Sequence, residues 1–256
     1  MDFNKLKEAV FGNKERVVTG LALIAGLIII LIINNIYLIW GVLGVAYIVG
    51  LMEVSKLFKI ENNKNIILLG VVTWIFLLMV KEVAFVAFVP AMIYASFIAY
   101  KNEDMKEVLP FIYPTVGMIL FFALYKDFGV FAVIWLIVAV AFTDTFAYFS
   151  GKYLGKRKFS PTSPNKTLEG VAGGIIAGTI FGSVAGLYFN GFMYALVLSF
   201  LVSFFSVFGD LFESYLKRKA DLKDSGNIFP GHGGILDRLD GYMFGVIMLY
   251  VGMKLV

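Results

Sequence analysis

The stretch FGVFAVIWLIVAVAFTDTFAYF, residues 128–149, decides the fold. No charged side chain interrupts it before Asp144, and no period-two alternation marks a strand with one wet face. A helix needs about 20 mainly apolar residues to cross the hydrocarbon core of a bilayer. Only helices and closed barrels satisfy every backbone group in lipid, and a run this long without dyad alternation is a helix. Asp144 lies near its end. An ionisable group in such a segment is costly, so it faces a cavity or a partner and marks a functional site.

The rest of the 256-residue chain has the same character. It is 60% hydrophobic and 16% charged, with a mean hydropathy of +0.86. A water-soluble domain carries roughly 45–50% apolar and about 25% charged residues, so this chain lacks the polar surface to cover itself in water. There is no cysteine, which excludes a disulfide frame, a thiolate nucleophile and a cysteine-based zinc site. The net charge of +4 is mild and gives no reason to expect a nucleic-acid partner. Residues 1–16 mix Asp2, Glu8 and Glu15 with Lys5, Lys7, Lys14 and Arg16. They read as an amphipathic lead on the membrane surface rather than a cleavable signal.

Further apolar runs fall at 17–34, 36–55, 65–80, 83–100, 110–125, 170–189, 191–210 and 239–256. With 128–149 they make nine candidate transmembrane helices, the third and fifth short. The expected fold is therefore an all-α, polytopic integral membrane protein. Charge placement supports that number. Counting spans alternately, one side receives every Lys and Arg of the chain except Lys81, Lys126 and Lys254. The positive-inside rule puts that side, and the N-terminus, in the cytoplasm of a cell membrane, and the C-terminus outside. Residues 1–109 read as a transmembrane scaffold with little unusual chemistry. Residues 110–256 read as the catalytic region, with cytoplasmic loops at 150–169 and 211–238.

In the seventh span Gly170, Gly174, Gly178, Gly182 and Gly186 recur every fourth residue. Small residues let backbones approach in a bilayer, so this face predicts close helix packing rather than ligand binding.

The chemistry gathers in two segments, TDTFAYFSGKYLGKRKFSPTSPNKTLEG (143–170) and GDLFESYLKRKADLKDSGNIFPGHGGILDRLDG (209–241). Asp144, Asp210, Asp237 and Asp240 each lie near the cytoplasmic end of a span. Asp237 and Asp240 share a helix face, as do Asp210, Glu213, Ser214 and Lys217. Carboxylates drawn from separate helices suit a hard cation such as Mg²⁺, which also takes substrate phosphate oxygens. The plainer reading pairs these acids with neighbouring bases. Many of the bases serve topology or anionic lipid headgroups. Lys166 differs, standing with Thr167 at a helix N-terminus, where the dipole favours a phosphate. In Pro230-Gly231-His232-Gly233-Gly234 the glycines let successive amides approach an anion. His232 is the chain's single histidine, and a lone histidine is more often structural than catalytic.

Three blocks, Ser214-Tyr215-Leu216-Lys217-Arg218, Lys223-Asp224 and Phe229-Pro230-Gly231-His232-Gly233-Gly234-Ile235-Leu236-Asp237-Arg238-Leu239-Asp240, resemble the signature of the phosphatidate cytidylyltransferases, also called CDP-diacylglycerol synthases. The upstream Asp144-x-x-Ala147-Tyr148-x-x-Gly151-Lys152 and Ser163-Pro164-x-Lys166-Thr167-x-Glu169-Gly170 are similar to that family too, apart from Leu168 where it carries an aromatic residue. The resemblance implies a reaction of CTP with phosphatidic acid that yields CDP-diacylglycerol and pyrophosphate. It implies Mg²⁺, with a candidate second metal ion of unassigned identity, contacts with membrane lipids, and a homodimer. It assigns Asp210, Asp237 and Asp240 to metal, with Asp144 a weaker candidate. Lys166, Lys217 and Arg218 would hold phosphates, joined by Arg238. Thr167, Ser214, Lys223 and the turn Gly231, His232, Gly233 and Gly234 would contact substrate. Three rivals remain open at this point: a CTP-dependent lipid kinase of the polyprenol type, a CDP-archaeol synthase, and a transporter. The last predicts acids near the bilayer midplane rather than gathered at one face.

Overall fold

The computed structural model describes residues 14–60, 64–229 and 233–255. Among them are nine α-helices: α1 (Lys14–Ile33), α2 (Ile36–Leu57), α3 (Lys64–Phe76), α4 (Val89–Lys101), α5 (Leu109–Phe128), α6 (Val130–Leu154), α7 (Leu168–Gly186), α8 (Phe192–Lys219) and α9 (Leu236–Lys254). The described residues form no extended strand, only two isolated bridges, Lys158 with Thr167 and Phe229 with Gly233. The all-helical expectation holds.

Five segments are long and apolar enough to cross a membrane: α2, α5 with the 3₁₀ turn before it, α6, α7 and α8. α3 and α4 have 13 residues each, about 20 Å at the helical rise, against a hydrocarbon core of about 30 Å. Pro90 falls in the first turn of α4, where its missing N–H costs no intrahelical bond. Other backbone extends these two elements. Leu77 and Leu78 donate back to Trp74 and Ile75 beyond α3, and a 3₁₀ turn at Val83–Ala87 leads into α4. α9 is 19 residues long but carries Asp237, Arg238 and Asp240 in its first turns.

Contacts between the ends of the described helices fall into two groups. At one end Lys254 Nζ lies 2.8 Å from Asp127 Oδ2, Tyr125 donates to Asn34 Oδ1 at 2.9 Å, and Lys126 donates to the Val80 carbonyl at 2.5 Å. At the other, Lys59 lies 3.5 Å from Asp221, and Lys59, Asn65, Glu103 and Lys106 line one shared depression. Lys59 and Lys106 thus share one end of the helices.

Polar side chains lock the interior where helices cross. The indoles of Trp40 and Trp74 each donate to the other's carbonyl at 3.0 Å. Tyr47 shares a 2.7 Å hydrogen bond with Thr115, and Trp135 donates to Ser199 at 2.8 Å. The glycine face of α7 is spent on this packing. A Cβ on Gly174 would lie 2.8 Å from the Ala147 methyl, and one on Gly182 2.8 Å from Ser199 Oγ. Outside, Val18, Leu21, Ile24, Ile28 and Ile32 leave α1 with an exposed apolar flank, a surface suited to lipid chains.

The two polar segments are shorter as loops than the apolar pattern suggests. α6 persists to Leu154 and α8 to Lys219, so the connections are 155–167 and 220–235. Helix continues wherever its residues have one packed face. Leu216 and Ala220 meet Val54, Leu57 and Leu236 in a small core at the site end, which carries α8 past the charged run.

Candidate active site

The 155–167 connection folds back by local bonds. Thr167 caps α7, its Oγ1 accepting from Gly170 N at 3.1 Å, as an N-cap threonine does. Glu169 reaches back to accept from the amides of Lys156 and Arg157 at 3.0 and 3.2 Å and from Arg157 Nε at 3.1 Å. Phe159 N donates to the Lys166 carbonyl at 2.9 Å. These bonds set Lys166 over α8, where its Nζ lies 2.5 Å from Asp210 Oδ2. Ser214 donates to the other oxygen of Asp210 at 3.3 Å.

Beside this pair opens a cavity of about 610 Å³, lined by Asp144, Lys152, Ser163, Lys166, Thr167 and Asp210 among others. Its walls come from α6, the 155–167 connection, α7 and α8. They hold both a cationic and an acidic side, as a site for phosphates and a cation requires. Gly170 makes the narrow wall possible, since a Cβ there would sit 2.8 Å from the Ala147 carbonyl.

A second cluster adjoins the first. Lys217 Nζ bridges Glu213 Oε2 at 2.7 Å and Asp237 Oδ1 at 2.6 Å, and all three side chains are nearly inaccessible. The other oxygen of Asp237 accepts from Ser225 N, Ser225 Oγ and Gly234 N, each at 2.8 Å. Asp237 therefore organises the 220–235 connection, with both its oxygens occupied. Gly233, at φ +81°, holds a left-handed conformation that glycine adopts without penalty.

Asp240 stands between the clusters, one oxygen accepting its neighbour Gly241 N at 2.8 Å. It lies in the field of Asp210, Glu213 and Asp144, while Lys166 and Arg238 offset Asp144. Five carboxylates thus share the region with Lys166, Lys217 and Arg238. Among the described residues no three acids converge as a complete metal-ligand set. The donor chemistry nonetheless fits a hydrated divalent ion, which takes one or two carboxylates, waters and substrate phosphates. Glu213 Oε1 is buried and accepts no hydrogen bond, while its other oxygen holds Lys217.

The structure brings Asp144, Lys166, Thr167, Asp210 and Ser214 together, and beside them Lys217, Asp237, Asp240, Gly233 and Gly234. Arg218 instead turns to the Leu222 carbonyl at 3.2 Å, and Lys223 is exposed on the connection. Gly231 and His232 lie outside the described residues. Two participants carried no assigned role in the sequence reading. Glu213 was seen only as sharing the Asp210 face. Glu53, in the presumed scaffold, is 2% exposed and accepts from Ile235 N at 3.0 Å and Leu236 N at 2.9 Å. Its signal was available: it is the one acid in the apolar run 36–55, and the argument applied to Asp144 applies equally there.

The fold and site are those of an all-helical protein with membrane-length apolar helices and a cavity lined by cations and acids suited to phosphates. Residues 14–256 match the family model described as the cytidylyltransferase family, and the chain belongs to that family. It is 46% identical over 249 residues to the phosphatidate cytidylyltransferase of Helicobacter pylori strain J99, covering 96% of this chain and 94% of that one. It is 34% identical over 270 residues to the phosphatidate cytidylyltransferase of Bacillus subtilis strain 168, covering 93% and 96%.

Proposed function

We propose that this protein transfers CMP from CTP to phosphatidic acid, forming CDP-diacylglycerol and pyrophosphate for phospholipid synthesis. The observation that carries the reading is the cavity beside the Lys166–Asp210 pair, in a chain of the cytidylyltransferase family. The lipid phosphate is already an anionic nucleophile, so no serine or cysteine is needed. One of its oxygens bonds to the α-phosphorus of CTP while the bond to the β-phosphate oxygen breaks, and pyrophosphate leaves with that electron pair. Repulsion between anions and charge on the leaving group form the main barrier, which fixed cations lower.

Lys166 supplies such a cation at the cavity wall, and Lys152 a second. Bound Mg²⁺ would add charge neutralisation at the phosphates. Asp210 and Asp240 would hold it, with Asp144 facing the same space. Asp237 and Lys217 would keep α8 and α9 in register around it.

We read the basic end as cytoplasmic, the nine helices as nine membrane passes, and the working unit as a homodimer in the cytoplasmic membrane. The deciding experiment incubates the purified protein with α-³²P CTP, phosphatidic acid and Mg²⁺. Label should enter the organic phase with stoichiometric release of pyrophosphate. Label that stays aqueous overturns the reading, and release of CDP instead points to a lipid kinase.

A further inference from the structure

We infer that Glu53, far from the signature segments in sequence, is a positioning residue for the transfer reaction. The inference rests on the cytidylyltransferase reading above. Glu53 lies in α2, and its carboxylate is buried against the α9 N-terminus. Oε1 accepts from Ile235 N at 3.0 Å, and Oε2 accepts from Leu236 N at 2.9 Å and from Ser225 Oγ at 3.1 Å. No side chain of the local sequence caps α9, so a carboxylate from another helix satisfies donors that a helix start leaves open. The helix dipole favours a negative charge there.

The contact is closely fitted. A Cβ on Gly226 or on Gly234 would collide with Glu53 Oε1, so both sides of the connection need glycine to admit the carboxylate. Ser225 Oγ also donates to Asp237 Oδ2 at 2.8 Å. One hydroxyl proton is therefore shared by Glu53 and Asp237. Through Asp237 the chain of bonds continues to Lys217 and Glu213 on α8. Glu53 thus fixes the start of the helix that carries Asp237 and Asp240 without touching the cavity itself.

Glutamine cannot replace it. Each oxygen of Glu53 faces a backbone N–H, so either orientation of the amide turns an NH₂ donor onto another donor. A residue that merely filled space would tolerate this isosteric change. The test compares Glu53→Gln and Glu53→Asp with the wild type and with Leu51→Ala, a buried apolar change on the same helix.

Displacing reacting groups by about 1 Å costs on the order of 10²-fold, so Glu53→Gln should lose about that much in kcat per folded molecule, with KM for CTP little changed. Amides of Ile235 and Leu236 should exchange hydrogen faster in Glu53→Gln. Leu51→Ala should lower thermal stability but keep kcat. A Glu53→Gln enzyme with wild-type kcat, or with unchanged exchange at 235 and 236, overturns the inference. Glu53→Asp, one methylene short, should not rescue kcat, and rescue counts against a fitted carboxylate. A wild-type protein without turnover sinks the cytidylyltransferase reading instead, while the exchange measurement still tests the anchor.

Discussion

Lys166 Nζ lies 2.5 Å from Asp210 Oδ2, and this pair ties the 155–167 connection to α8, with α7 between them in the chain. The side chains are 24% and 31% exposed, so the pair is accessible to a substrate phosphate yet partly shielded from water. A phosphate that enters the cavity competes with Asp210 for the ammonium, freeing the carboxylate to meet a cation. Lys166→Ala and Asp210→Asn should each lower turnover by about 10²-fold, as loss of one fixed charge-stabilising group does. Because each change removes the same contact, the double variant should be less impaired than additivity predicts, with a coupling of about 0.5–3 kcal/mol. Rates of label incorporation for the four proteins give that coupling directly.

Lys217 calls for a different outcome. It is held between Glu213 and Asp237 at 2.7 and 2.6 Å, and none of the three side chains exceeds 12% exposure. Removing the cation leaves two carboxylates buried without it. Breaking a buried pair in this way costs about 3–5 kcal/mol. Lys217→Met should therefore lower thermal stability in detergent, whereas Lys166→Ala should not. If Lys217→Met melts with the wild type, Lys217 contributes little to the fold and its role is confined to substrate.

Asp240 combines like-charge neighbours with few hydrogen bonds. Asp240→Asn should remove repulsion, so the metal-free variant should melt no lower than the wild type while turnover disappears. In the wild type, Mg²⁺ at about 100 times its dissociation constant should stabilise by about 2.7 kcal/mol, and that increment should vanish in Asp240→Asn. A variant that keeps both turnover and the Mg²⁺-dependent shift would remove Asp240 from the cation site.

Much of this arrangement was legible in residues 128–149 and in the two polar segments. Apolar length located every helix, and the cost of ionisable groups in lipid singled out Asp144 and Asp240. The two segments were read as carrying the chemistry, and Lys166 with Asp210 joins them. What the linear pattern hid was partnership. Hydropathy cannot tell that Asp237 spends both oxygens on Lys217, Ser225 and Gly234, because those bonds depend on how α8 and α9 meet. Glu53 was passed over although it interrupts an apolar run, because its partners lie some 180 residues away. Helix ends were also set by packing: Leu216 extends α8 beyond its apolar run.

The glycine face of α7 yields a contrast between two substitutions. Gly174→Val would press a branched side chain on Thr143 and Ala147 of α6. Overpacking of this kind costs about 1–3 kcal/mol and more where backbone is met. Gly26 on α1 has nothing within 4 Å of its would-be Cβ, so Gly26→Val should be neutral. Melting temperatures in the same detergent separate the two, and a neutral Gly174→Val would mean that α6 and α7 pack less closely than described.

Orientation can be read with cysteine, since the chain has none of its own. Lys156 is exposed on the 155–167 connection at the site end, and Asn190 is exposed on the connection between α7 and α8 at the opposite end. From the sequence charge pattern the positive-inside rule predicts Lys156 in the cytoplasm and Asn190 outside. In intact spheroplasts a membrane-impermeant maleimide should modify Asn190→Cys and spare Lys156→Cys until the membrane is opened. CTP is made and kept in the cytoplasm, so the same experiment bears on chemistry as well as topology. Labelling of Lys156→Cys from outside would put the cavity on the side without nucleotide, and the cytidylyl-transfer reading would lose its substrate.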